Sequence, residues 1–148
     1  MIFDVVIIGG GVSGMQCALV LGSARNKVFA AQKNIGIIMH QRASHLENAL
    51  FNNVLGLAPK TTGKDILREG KEQLATLYSH VSQVANEKVI AIKEINGIYL
   101  IETNKNSYKS KTVVLALNYS KPFTIQGLNE FIIPHKKANP KKDRIQLE

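Results

Sequence analysis

Phe3-Asp4-Val5-Val6-Ile7-Ile8-Gly9-Gly10-Gly11-Val12-Ser13-Gly14 decides how the rest of this chain is read. Phe3 to Ile8 is a short apolar run rich in β-branched residues, the pattern of a strand covered on both faces in a parallel sheet. It stops at three glycines. From Val12 the period changes, and Met15, Ala18, Leu19 and Gly22 share one face of a helix that Asn26 closes. Gly9 to Gly14 therefore matches G-x-G-x-x-G between a strand and a helix, the context that gives an otherwise weak pattern its meaning. Gly9 permits the tight turn, Gly11 lets a pyrophosphate approach the backbone, and Gly14 lets helix and strand pack closely. The amides of Val12 and Ser13, with the helix dipole behind them, then suit the diphosphate of an adenine dinucleotide. A glycine turn that merely packs is the alternative.

The second part of this fingerprint is an acidic residue about 20 positions further on, where it holds the adenosine ribose. Ile35 to Met39 reads as the second parallel strand, after a long connection from Lys27 to Asn34. It ends in His40-Gln41-Arg42, so the acid is missing. His40 or Gln41 can still hydrogen-bond a ribose and Arg42 can meet a phosphate. The alternative is that none of the three touches a ligand.

Residues 40–60 show no clear period and contain Asn52, Asn53, Gly56 and Pro59, so they read as loop with at most a helical turn. Thr62 and Asp65 have capping-box spacing, opening a helix whose stripe is Ile66, Leu67, Leu74 and Leu77 and which runs to about Tyr78. Val81 to Val84 is a short strand. Lys88–Ile95 and Ile98–Thr103 flank Asn96-Gly97, a two-residue hairpin signal in which both turn positions take positive φ. A polar turn from Asn104 to Ser107 leads through Tyr108 to a last buried run, Thr112 to Leu117. The expected fold class is α/β: a Rossmann-like parallel sheet carrying an antiparallel three-stranded β-meander. A nicotinamide-binding half is normally built with helical crossovers instead, so the meander disfavours a plain NAD(P)-binding Rossmann protein.

Length and composition set the outer limits. At 148 residues the chain suits one domain, expected over 1–133, with a basic C-terminal tail at 134–148. Hydrophobic residues make up 45% and charged residues 20%, an ordinary globular balance. A net charge of +8 raises the question of nucleic acid, but the lysines are scattered. The densest cluster, His135 to Arg144, lacks the aromatics that stack on bases, so no nucleic-acid partner is expected. No apolar run approaches the roughly 20 residues of a membrane span, and no membrane partner is expected. The apolar N-terminus lacks a basic region and runs into glycines, unlike a signal peptide. Cys17 alone permits no internal disulfide and fits the cytoplasm; it reads as a small buried hydrophobe. His40 and His45 lack metal-ligand spacing, and no metal is expected.

Three segments together resemble the thioredoxin-reductase branch of the two-dinucleotide-binding-domain flavoproteins. They are Phe3 to Gly14; Asn53-Val54-Leu55-Gly56-Leu57 with the helix opened by Thr62-Gly63; and Thr112-Val113-Val114-Leu115-Ala116-Leu117-Asn118-Tyr119-Ser120-Lys121-Pro122. The resemblance covers roughly residues 2 to 130 and implies the FAD domain of that family. It implies FAD as cofactor, with NADPH or NADH as reductant and an unspecified small-molecule or protein acceptor. By the same resemblance the backbone at Gly11, Val12 and Ser13 contacts the diphosphate, with Gly9 and Gly14 shaping the same cofactor-binding turn, while Asn53 lies near the flavin, Val84 near the adenine and Ala116 by the diphosphate. The family's Cys-x-x-Cys is absent, its Ala-Thr-Gly has become Ala116-Leu117-Asn118, and no second glycine fingerprint follows Pro122. The sequence also stops at Gln146-Leu147-Glu148, about where the family's final strand begins, and so looks like a shortened FAD domain. The expected function is a flavin-dependent oxidoreductase with no catalytic residue named. The alternative is a non-catalytic dinucleotide-binding module, and a homodimer stays open.

Overall fold

The structure is a computed structural model, and its described residues are 1–40, 45–117, 125–127, 132–133 and 144–145. Strand β1 (Ile2–Ile8) leads into helix α1 (Val12–Ser23), closed by a 3-10 turn at Ala24–Asn26, and then β2 (Ile35–Met39). A 3-10 turn at His45–Asn48 and two short strands, β3 (Leu50–Phe51) and β4 (Thr61–Thr62), precede helix α2 (Gly63–Leu77). Next come β5 (Val81–Ala85), β6 (Val89–Ile95), β7 (Ile98–Thr103) and β8 (Ser107–Leu115). Strands β9 (Ile132–Ile133) and β10 (Arg144–Ile145) form a small antiparallel ladder of their own, which joins the end of the expected 1–133 unit to the expected tail.

The main sheet has the order β5-β2-β1-β8-β7-β6. Its first four strands are parallel and its last three antiparallel. The sequence suggested a meander followed by a separate buried run; one long strand, β8, supplies both. Ser107 to Ser110 pair with β7, while Lys109, Ser110 and Thr112 to Leu115 pair with β1, so the two ladders overlap at Lys109 and Ser110. Where β7 falls away, the buried Ser110 hydroxyl donates to the Thr112 carbonyl at 2.6 Å and replaces a ladder partner.

Alternation along the strands sends side chains into two cores. Ile7, Ile35, Ile37 and Met39 face the helices with Met15, Ala18 and Leu74. Val6, Ile8 and Ile38 face the other way and meet Val89, Ile92 and Ile101 of the meander. Both faces of the parallel strands are thus covered, as their continuous apolar runs require. Residues such as Ile7 and Ile37, with no exposed surface, each contribute about 1.5–3 kcal/mol of burial.

Helix α2 buries Gly63, Leu67, Gly70 and Leu74. Leu77, expected in this stripe, is instead 61% exposed. Tyr78, just past the helix, lies against Gly22 of α1 and packs on the helix-side core. The Asn96-Gly97 turn has φ of 53° and 77°, as its sequence requires. Gly127 brings residues 125–127 along the outer edge of β6, where Ile92 N–H donates to Gln126 O at 2.8 Å and Ile125 joins the core.

The meander is fastened to the parallel strands through Glu87, which is only 7% exposed. Its carboxylate accepts hydrogen bonds from Thr103 Oγ1 (2.6 Å), Asn106 Nδ2 (2.7 Å) and Tyr108 OH (3.0 Å). These bonds, that from Thr103 foremost, hold its acid below the ordinary carboxylate range against the opposing effect of burial.

Candidate functional site

The parallel strands end together at one edge of the sheet, where open α/β folds place their ligands. Gly9, the first residue past β1, donates its N–H to Ile38 O at 3.0 Å, tying the turn to β2. Ala116, the first residue past β8, donates to Ile8 O at 2.9 Å and ties the same corner to the other neighbour. Gly9 has φ of +126°, a conformation side chains rarely adopt, and a Cβ there would collide with the Ala116 carbonyl. A Cβ on Gly14 would strike the Gly9 carbonyl oxygen and lie 3.2 Å from Ala116 Cβ. The corner is closed by backbone, with room for hydrogen at these two positions and nothing larger.

Helix α1 starts from this corner. Gly11 is its N-cap, extended at φ −76° and ψ −178°, with no side chain capping the helix. The first intrahelical bond runs from Met15 N–H to Gly11 O at 2.9 Å. The amides of Val12, Ser13 and Gly14 precede it and have no intrahelical acceptor. No acidic residue stands in the first turn. Val12 and Ser13 are exposed. Donors with no partner among the described residues, a positive dipole end and open access at Val12 and Ser13 make an anion cradle of main-chain amides.

The other expected residues arrange around this corner unevenly. Met39, the last residue of β2, lies against Gly10: a Cβ on that glycine would be 2.7 Å from Met39 Cγ. His40 follows directly and is exposed, so it stands at the rim beside the glycine turn. Gln41, with Arg42, lies outside the described residues. Val84 sits in β5 opposite Ile38, its side chain packed toward the meander core. Asn53 is exposed on the loop between β3 and β4, apart from the glycine corner in the chain. That loop is braced internally, with Lys60 N–H donating to Asn52 Oδ1 at 3.0 Å and Leu57 N–H to Val54 O at 3.1 Å. Cys17 is half-buried on α1, and burial pushes its thiol up, away from nucleophilic character.

Sequence reasoning passed over Glu87. Its N–H donates to Met39 O at 3.2 Å, so an acid does stand beside the end of β2. Its carboxylate is nonetheless committed to Thr103, Asn106 and Tyr108. No spacing rule exposes such a residue, because it reaches β2 from the β5–β6 connection, far along the chain.

The sequence model of one protein family, described as pyridine nucleotide-disulphide oxidoreductase, matches residues 3–148. The chain belongs to this family. Curated relatives include the ferredoxin–NADP reductase of Streptococcus thermophilus, 28% identical over 115 residues, covering 78% of this chain and 34% of the relative. Ferredoxin–NADP reductase 1 of Listeria welshimeri is 30% identical over 119 residues, again 78% and 34%. The chain thus spans about a third of the length of these relatives. Among solved structures, an oxidoreductase from Agrobacterium tumefaciens superposes with a TM-score of 0.66 at 28% identity, over 88% of this chain and 42% of that one. Thioredoxin reductase from T. acidophilum superposes with a TM-score of 0.63 at 25% identity, over 88% and 40%. The mixed sheet with its meander is the fold these reductases share with this member of the family.

Proposed function

We propose that this chain binds FAD at the glycine corner and serves a flavin-dependent oxidoreductase of the thioredoxin reductase and ferredoxin–NADP reductase type. The observation that carries this reading is the open first turn of α1, whose amides face the strand edge with no acid competing for them. Bound there, FAD supplies the redox chemistry, taking electrons from NADPH or NADH and delivering them to an acceptor. The chain's own part is to hold the diphosphate with Val12, Ser13 and Gly14 amides and to keep the helix close through Gly9 and Gly14. His40, Gln41 and the backbone at Val84 serve the adenosine end, Ala116 the diphosphate, and Asn53 the flavin side. The cofactor-binding unit is residues 1–133.

A nucleotide-binding module without turnover of its own is the second reading. It is favoured by the single, half-buried Cys17, which offers no dithiol for the disulphide chemistry in the family's description. A cytoplasmic setting suits that lone thiol. No described helix is long and apolar enough to cross a membrane.

The deciding experiment is titration of the purified 148-residue chain with FAD, followed by flavin fluorescence and calorimetry. Saturable binding is expected, with bleaching by NADPH or NADH separating the enzyme from the module. Gly11→Val should weaken binding about 100-fold, roughly 2.7 kcal/mol, with the circular dichroism unchanged, because its φ suits any residue. Failure of the native chain to bind any dinucleotide would sink the proposal.

A further inference from the structure

The adenosine end of the site departs from the dinucleotide fingerprint in a way that bears on which ligand it takes. In that fingerprint a carboxylate after the second strand accepts hydrogen bonds from the ribose hydroxyls, and its charge opposes a phosphate on the same ribose. Met39 packs against Gly10, so the residue that follows β2 stands at the position this carboxylate would fill. Here that residue is His40, exposed at the rim, and the sequence continues into Gln41 and Arg42, neither of them acidic.

Among the described residues, helix α1, the β5–β6 connection and the start of β1 supply no replacement charge. Helix α1 has no acid in its first turn. In the β5–β6 connection, Glu87 touches β2 through its backbone at Met39, but its carboxylate is buried and saturated by Thr103, Asn106 and Tyr108. Asp4 lies near the N-terminal start of β1, bonded to Asn34 and Lys111. The rim formed by the glycine turn, the end of β2 and the β5–β6 connection therefore presents donors and no free carboxylate among its described residues.

We propose that this rim accepts a phosphorylated adenosine ribose, so that the 2′-phospho-ADP-ribose portion of NADP(H)-class nucleotides binds at the FAD corner with His40 beside the added phosphate. The inference rests on the diphosphate-binding reading of the glycine turn. It makes NADP(H)-class nucleotides competitors of FAD for one crevice.

The test is calorimetric titration of the 148-residue chain with ADP-ribose and with 2′-phospho-ADP-ribose, then with His40→Glu. The native chain should bind the phosphorylated compound at least as tightly as the unphosphorylated one. His40→Glu should weaken the phosphorylated compound about tenfold or more and leave ADP-ribose equal or tighter, since it gains acceptors for the ribose hydroxyls. A native chain that binds ADP-ribose but rejects the phosphorylated form tenfold overturns the inference while sparing the glycine-turn reading. So does a His40→Glu variant with an unchanged ratio. If neither compound binds, the glycine-turn reading fails and this inference with it.

Discussion

The two helices of this chain begin in opposite ways. Helix α2 is closed at its N-terminus: Thr62 Oγ1 accepts the Asp65 N–H at 3.1 Å, and the same hydroxyl donates to Asp65 Oδ2 at 2.5 Å. Gly63 N–H is taken by Ala49 O at 2.9 Å, and a Cβ on Gly63 would collide with the Leu46 carbonyl. The Thr62 hydroxyl also holds the Asp65 acid below its ordinary range. Helix α1 has none of this. Its cap is a glycine, its first turn lacks an acid, and its first two residues are exposed. A helix start that satisfies its own amides stabilises the fold, whereas one that leaves them open has binding capacity to offer.

Four substitutions break or sharpen this contrast, and the largest effect is at Gly14. Gly14→Val drives a side chain into the Gly9 carbonyl and Ala116, so the helix must move off the strand. Urea denaturation should show a loss of roughly 2–3 kcal/mol, and FAD affinity should fall more than about 100-fold. Retention of both would dissolve the corner as described. Ser13→Asp probes the open helix start with charge alone. Calorimetry should show FAD binding about tenfold weaker, while thermal melting of the unliganded chain shows a gain of about 0.3–1 kcal/mol from the helix dipole. Opposite signs are the signature of an unsatisfied anion site; a loss in both would argue for packing instead.

At the closed end, Thr62→Ala should cost about 1 kcal/mol of stability in urea and leave nucleotide affinity within about twofold. A large loss of affinity would mean that the two helix starts are not independent. The smallest effect lies near the start of β1, remote from the glycine corner. The Asn34 amide, foremost, and the Lys111 ammonium lower the Asp4 acid to about 2 from an ordinary 3.8. Because the folded value is depressed, this contribution is present above pH 3.8 and is lost as pH falls toward 2. Asp4→Asn should therefore flatten acid unfolding in that window by about 1 kcal/mol, allowing for solvent screening, with no change in FAD titration at neutral pH.

Much of this was readable in the chain because the signals are local. A β-branched run, a change of period at Val12, a capping box at Thr62 and the Asn96-Gly97 pair each act through contacts a few residues apart. β1, α1, β2, α2 and the β6–β7 hairpin follow accordingly. The β3–β4 pair was not readable, since two residues per strand give no period. Leu77 fitted the helical stripe and still faces outward, while Tyr78, just beyond the helix, makes the contact with α1 at Gly22.

By itself, then, the sequence determined the strand–glycine–helix corner, its helix start without a capping side chain or acid, and the missing acid after β2, all of which depend on residue type and short-range geometry. Only the tertiary structure decided that β8 belongs to both halves of the sheet and that Ala116 closes the corner. It also decided that Glu87, though adjacent to β2, is spent on the meander. Those outcomes depend on hydrogen bonds between residues far apart in the chain, which no local pattern of residues encodes.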